Sequence, residues 1–124
     1  MPDPQKMAAA VETYVASFAA RNYNAVADLF AEQCTVEDPI GSPIHNGSEA
    51  VREFYKGAMQ NGAKLSLDGP VRVAGPYAAF AFTVSVPGPD GAVAMRINVI
   101  DTFKFDESNK VVEMRAFWGP TNIQ

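Results

Sequence analysis

The stretch MRINVIDTFKF, Met95 to Phe105, decides how this chain folds. Read with the two-residue period of a strand, Met95, Ile97, Val99, Asp101, Phe103 and Phe105 share one face. Arg96, Asn98, Ile100, Thr102 and Lys104 share the other. Such a division into an apolar and a polar face is the pattern of a half-buried strand in an antiparallel sheet. Asp101 is the exception, a carboxylate in the middle of the apolar face. An ionised carboxylate is so costly to bury without a partner that it takes up a proton instead. Arg96 and Lys104 alternate onto the opposite face. Two explanations therefore stand side by side: a salt bridge from elsewhere, from Arg115 or Arg72, or an acid kept for function.

Outward from this stretch the strand pattern continues. AAFAFTVSV (78–86) sets Phe80, Phe82, Val84 and Val86 on one face, and PGPDGA (87–92) supplies the turn of an antiparallel hairpin. DESNK (106–110) turns the chain again. VVEMRAFW (111–118) then alternates Val112, Met114, Ala116 and Trp118 against Val111, Glu113, Arg115 and Phe117. AKLSLDG (63–69) and VRVAG (71–75) are shorter strand segments.

The first half of the chain has helical spacing instead. Met7, Val11, Tyr14 and Phe18 form an amphipathic stripe, with Asp3 as cap and Pro4 at the first helical position. NAVADLFAEQ (24–33) is a second short helix showing Val26, Leu29 and Phe30 to the interior. CTVEDP (34–39) is a short strand with Cys34, Val36 and Asp38 on one face, stopped at Pro39. After the loop IGSPIHNG (40–47), Ser48 opens a third helix with Val51, Phe54, Tyr55 and Ala58 at helical spacing. Three helices followed by a run of strands is an α+β pattern, expected as one domain over residues 1–124. The helices are expected to cover one face of a curved, mostly antiparallel sheet and to leave an apolar pocket between them.

Composition narrows the function classes. Hydrophobic residues make up 48% of the 124 and charged residues 19%, an ordinary globular balance. The net charge of −4 argues against a nucleic-acid or anionic-membrane partner, which calls for a basic face. No uninterrupted apolar run is long enough to span a membrane, and Asp3, Lys6 and Glu12 interrupt any signal-peptide core. The lone Cys34 permits no internal disulfide, so a reducing, cytoplasmic location is expected. His45, the only histidine, lies in a Gly/Pro loop and reads as a surface residue; alone it forms neither a metal cluster nor a nucleophilic triad. No metal or phosphate-binding motif is found.

Three polar residues stand on otherwise apolar stripes: Tyr14, Asp38 and Asp101. Singly, Tyr14 reads as a packed core ring and Asp38 as a turn-forming aspartate before proline. Together they suggest a reaction. An ionised Asp38 is a base, and a neutral Asp101 and the Tyr14 phenol are donors. That set suits proton abstraction next to a carbonyl, the donors holding the oxygen where negative charge develops.

The ordered segments TVEDPIGS (35–42), REFY (52–55), AAFAFTVS (78–85), VIDTFKF (99–105) and VVEMRAFWGPTNI (111–123) resemble the bacterial steroid Δ-isomerases, or ketosteroid isomerases. The resemblance covers almost the whole chain. It implies a cone-shaped nuclear transport factor 2-like fold, usually homodimeric. It also implies conversion of 3-oxo-Δ5 steroids to 3-oxo-Δ4 steroids with no cofactor. Asp38 matches the family's base, Tyr14 its oxyanion tyrosine and Asp101 its protonated aspartic acid. Tyr55 matches a supporting hydrogen-bond partner, while Phe30 stands where some members carry a further network tyrosine. Phe54, Phe80, Phe82, Met114 and Trp118 match steroid-pocket positions. The scaffold alone does not decide function. A non-catalytic sterol- or polyketide-binding or interaction module is the alternative, and another lyase, cyclase or hydrolase a third.

Overall fold

The computed structural model describes residues 1–124. Its longest strand, β6 (Val93–Phe105), carries the opening stretch and pairs antiparallel with β5 (Tyr77–Pro87) on one side and β7 (Val111–Phe117) on the other. The face assignment follows the alternation: Val99, Asp101, Phe103 and Phe105 are buried, whereas Ile100 on the other face is 50% exposed. β1 (Phe30–Glu37) runs parallel to β7 and antiparallel to β2 (His45–Asn46). At the other edge β3 (Lys64–Leu67) and β4 (Arg72–Ala74) both pair antiparallel with β5. The sheet is therefore mixed, in the order β2-β1-β7-β6-β5-β3.

Helix α1 (Pro4–Ala19) starts where Asp3 accepts the Gln5 N–H at 2.9 Å, satisfying one of the donors left free at a helix start. It buries Met7, Val11, Tyr14 and Phe18. Helix α3 (Ser48–Ala58) buries Val51 and Tyr55. These faces and the inner sides of the central strands form one apolar cluster of 21 buried residues. The expected helices on a mostly antiparallel sheet are present, and the one parallel pair, β1 with β7, makes the sheet mixed.

Three local expectations are corrected. The second helix, α2, is only Tyr23–Ala27, and Phe30 already belongs to β1. There the Leu29 carbonyl accepts the Val111 N–H at 2.9 Å and Phe30 pairs with Val111, so sheet pairing overrides helical periodicity. Val111 is fully buried rather than outward-facing, because the β6–β7 register shifts between Lys104 and Phe105 and again along β1. Phe54 is only partly buried: its ring packs at 5.0 Å on Tyr55 at the margin of the core, stacked on His45. No helix is long and apolar enough to cross a membrane.

Candidate active site

Sheet register brings the two carboxylates to one level. Glu37 pairs with Arg115, so Asp38, one residue on, stands beside Ala116, and Ala116 pairs across with Asp101. Two strand spacings separate their backbones, about 9.5 Å. Tyr14, on α1, faces the same place from the helical layer. All three line one cavity with about 630 Å³ of empty space, part of it open to solvent. Of its 15 lining residues, 12 are hydrophobic, the character of a small-molecule site.

Asp101 is 1% exposed, and neither carboxyl oxygen has a hydrogen-bond partner. The salt-bridge explanation fails: Arg115 pairs with Glu113 at 3.4 Å, and Arg72 donates to the Pro70 carbonyl at 3.0 Å. Burial, and next the negative charge of Asp38, push the Asp101 carboxyl well above the usual carboxylate range. The Tyr14 hydroxyl offsets part of this shift, although it does not reach hydrogen-bonding geometry with Asp101. Burial without a partner thus favours the neutral, protonated form of Asp101 in this apolar cavity.

The Tyr14 ring is held edge-on by Phe18, Tyr55, Phe80 and Phe103, with ring centroids 5.1–5.9 Å away. Its hydroxyl meets the Tyr55 hydroxyl at 3.2 Å. Burial drives both phenols well above their ordinary value, so both remain protonated donors. Beyond Tyr55 the Phe30 ring, 5.9 Å away, offers no hydroxyl to extend the pair.

Asp38 differs from Asp101 in having a donor: the Trp118 indole N–H reaches its Oδ1 at 2.9 Å. Burial raises the Asp38 carboxyl, while the Trp118 hydrogen bond, then the charge of His45, pull it back. The environment therefore pushes the two carboxylates apart, one toward a base and one toward an acid. His45 is not a free surface residue. It lies in β2, pairs with Val36 of β1 and packs its ring, tilted, on Phe54 with centroids 4.5 Å apart.

Of the remaining residues singled out in the sequence, Phe82 and Trp118 line the cavity. Phe80, Met114 and Phe54 do not: Phe80 packs behind Tyr14, Met114 is fully buried opposite Phe103, and Phe54 lies under His45. The sequence reading missed the Trp118–Asp38 bond, which joins residues 80 positions apart, and the apolar wall of Leu65, Val84, Met95 and Ile97. Alternation had placed Val84, Met95 and Ile97 on inward faces, but only strand register shows them beside the polar groups. No group of three or more His, Cys, Asp and Glu side chains could hold a metal ion.

Two carboxyls and a phenol pair line a cavity on a fold of the nuclear transport factor 2-like class, and the chain belongs to the SnoaL-like domain family, whose model matches residues 11–114. It is 37% identical over 116 residues to a steroid Delta-isomerase from Nocardioides simplex, covering 93% of this chain and 91% of that protein. It also resembles the solved structure of SalBIII, an epoxide hydrolase/cyclase-like enzyme in pyran ring formation in polyether salinomycin. The TM-score is 0.88 and the identity 27%, over 99% of this chain and 98% of that one.

Proposed function

We propose that this protein is a steroid Δ-isomerase that moves a double bond by proton transfer within the substrate, using its own side chains. In this reading a 3-oxo-Δ5 steroid enters with its ketone between Tyr14 and Asp101. The Asp38 carboxylate takes a proton from C4, the C4–H electron pair moves into the ring and the carbonyl oxygen becomes a dienolate oxygen. Tyr14 and Asp101 donate hydrogen bonds to that oxygen, where they act more strongly than in water because the walls are apolar. Asp38 then returns the proton to C6, giving the conjugated 3-oxo-Δ4 product.

The observation that carries the reading is the asymmetry of the two carboxylates: Asp38 holds a hydrogen bond from Trp118 and Asp101 holds none. A pure binding cavity has no use for a base beside a neutral acid. The deciding experiment adds a 3-oxo-Δ5 steroid to folded protein and follows conjugated-enone ultraviolet absorbance. Its absence overturns the proposal.

The likeness to SalBIII favours one second reading, because an acid and a base in an apolar cavity also suit epoxide opening. Asp101 would then protonate the epoxide oxygen while Asp38 takes the proton of the attacking hydroxyl. Turnover of a hydroxy-epoxide with no turnover of the steroid would select it.

A further inference from the structure

The cavity is longer than the chemistry just described needs. Its wall runs along β5 and β6 from Asp101 to Met95, through the pairs Phe82–Val99, Val84–Ile97 and Val86–Met95. Six residues of strand span about 20 Å. A fused four-ring nucleus spans about 11 Å from its ketone oxygen by ordinary bond lengths. With the ketone at Asp101, whatever the last ring carries lies toward the Met95 end.

That end has its own polar groups. Apart from Asp38 and Asp101, Asn61 is the one non-hydrophobic lining residue. Leu65 pairs with Val84 and β3 runs antiparallel to β5, so Asn61, four residues before Leu65, lies at the far end of the wall. Its Oδ1 accepts the Ala63 N–H at 3.0 Å, which leaves the side-chain NH₂ without a partner. Arg21, three residues beyond the lining residue Phe18, lines the adjoining cleft, and its guanidinium lies against Gly62, between the lining residues Asn61 and Ala63. Gly62 (φ +77°) makes the room: a Cβ there would meet Arg21 Nη2 at 3.0 Å and Pro87 Cγ at 3.2 Å. The guanidinium therefore lies beside the segment after α3, on the side of Gly62 that faces Pro87 of the β5–β6 hairpin.

Arg21 donates only to the Gln60 carbonyl, at 3.4 Å, and takes part in none of the ion pairs. Lys56, in the same cleft as Arg21, is also absent from them. The acidic side chain of the hairpin, Asp90, is occupied with the Ala92 N–H at 3.1 Å. The free Asn61 NH₂ and the Arg21 guanidinium are both donors, and the guanidinium carries a charge with no anionic partner, on a chain whose net charge is −4. Donors without acceptors select an acceptor-only ligand group, and a guanidinium favours a carboxylate.

We infer that the Met95 end of the cavity is a second recognition site, in which Arg21 and Asn61 bind a carboxylate carried by a side chain on the last ring of the steroid. The preferred substrate class is thus a steroid acid rather than a neutral steroid. This inference rests on the isomerase reading for the orientation of the ligand.

Trp118 is the only tryptophan and lines the cavity, so its fluorescence reports occupancy without turnover. The probes are a 3-oxo-Δ4 steroid with a carboxylic acid side chain on the last ring and the methyl ester of the same compound. The acid is expected to bind at least about tenfold more tightly than the ester, with the difference shrinking as salt is added. Arg21→Gln is expected to abolish the preference and Arg21→Lys to retain part of it. Equal affinities, a preference for the ester, or no saturable signal with either probe overturns the inference. Enone formation from a neutral Δ5 steroid is scored separately. Preference for the acid without isomerisation sinks the isomerase reading and keeps the site; isomerisation without preference does the reverse.

Discussion

Asp38 and Asp101 stand at one level of the sheet with Ala116 between them, yet only Asp38 has a hydrogen-bond donor. After burial, the charge of Asp38 is the second cause that raises the Asp101 carboxyl. This arrangement favours one anion and one neutral acid. An apolar cavity lets that division persist at neutral pH, because a second negative charge would have to be formed without solvent.

The base is the first test. Asp38→Asn keeps the shape of the side chain and removes its ability to take a proton. Turnover of a 3-oxo-Δ5 steroid is expected to fall by at least about 10²–10⁴-fold. Ligand binding, followed through Trp118 fluorescence, should survive. Loss of the fold in this variant would instead make Asp38 a structural residue.

Asp101 separates hydrogen bonding from packing. Asp101→Leu fills the space and removes the donor, and the turnover number should drop about 10²–10³-fold, the usual cost of one oxyanion donor. Asp101→Asn keeps an N–H to offer and should lose much less. Equal losses in both variants would show that the O–H of Asp101 does not act on the substrate oxygen.

Much of this site was legible along the chain, and the missing part has a physical cause. Asp101 stood out because strand alternation fixes which side chains share a face, and Tyr14 because helical spacing does the same. Asp38 was placed by its alternation with Cys34 and Val36. Alternation does not report how two strands slide past one another. The Val111 register shift, the short α2 and the closeness of Trp118 to Asp38 all depend on pairing between distant segments. Phe80 and Met114 were assigned correctly to the inward side, but a side chain on the inward side can pack behind the cavity as well as line it.

Trp118 sets where the base titrates. Its N–H stabilises the ionised form of Asp38, so Trp118→Phe should raise the carboxyl further. The proposed reaction needs the ionised form, and the acid limb of the kcat/KM profile is therefore expected to move to higher pH by about one unit. His45→Gln removes a smaller influence of the same sign, and its limb should move the same way by less. A limb unmoved in Trp118→Phe would belong to a group other than Asp38.

In the proposed reaction the same acid that serves catalysis is expected to weaken the fold. Asp101 is held well above the usual carboxylate range when folded and returns to about 3.9 when unfolded. Between those values the folded state binds more protons than the unfolded state. Stability from this group is therefore fully present below about pH 4 and is lost as pH rises, at up to about 1.4 kcal/mol per pH unit, until the folded-state value is passed. Asp101→Asn removes the titration. Urea unfolding across a pH series should show the variant gaining on the wild type steadily from about pH 4 upward, with no pH-dependent gain below it. Comparing the two proteins at each pH cancels the carboxylates they share. A difference that stays constant with pH would mean that Asp101 is ionised in the folded protein, and the neutral-acid role would fall with it.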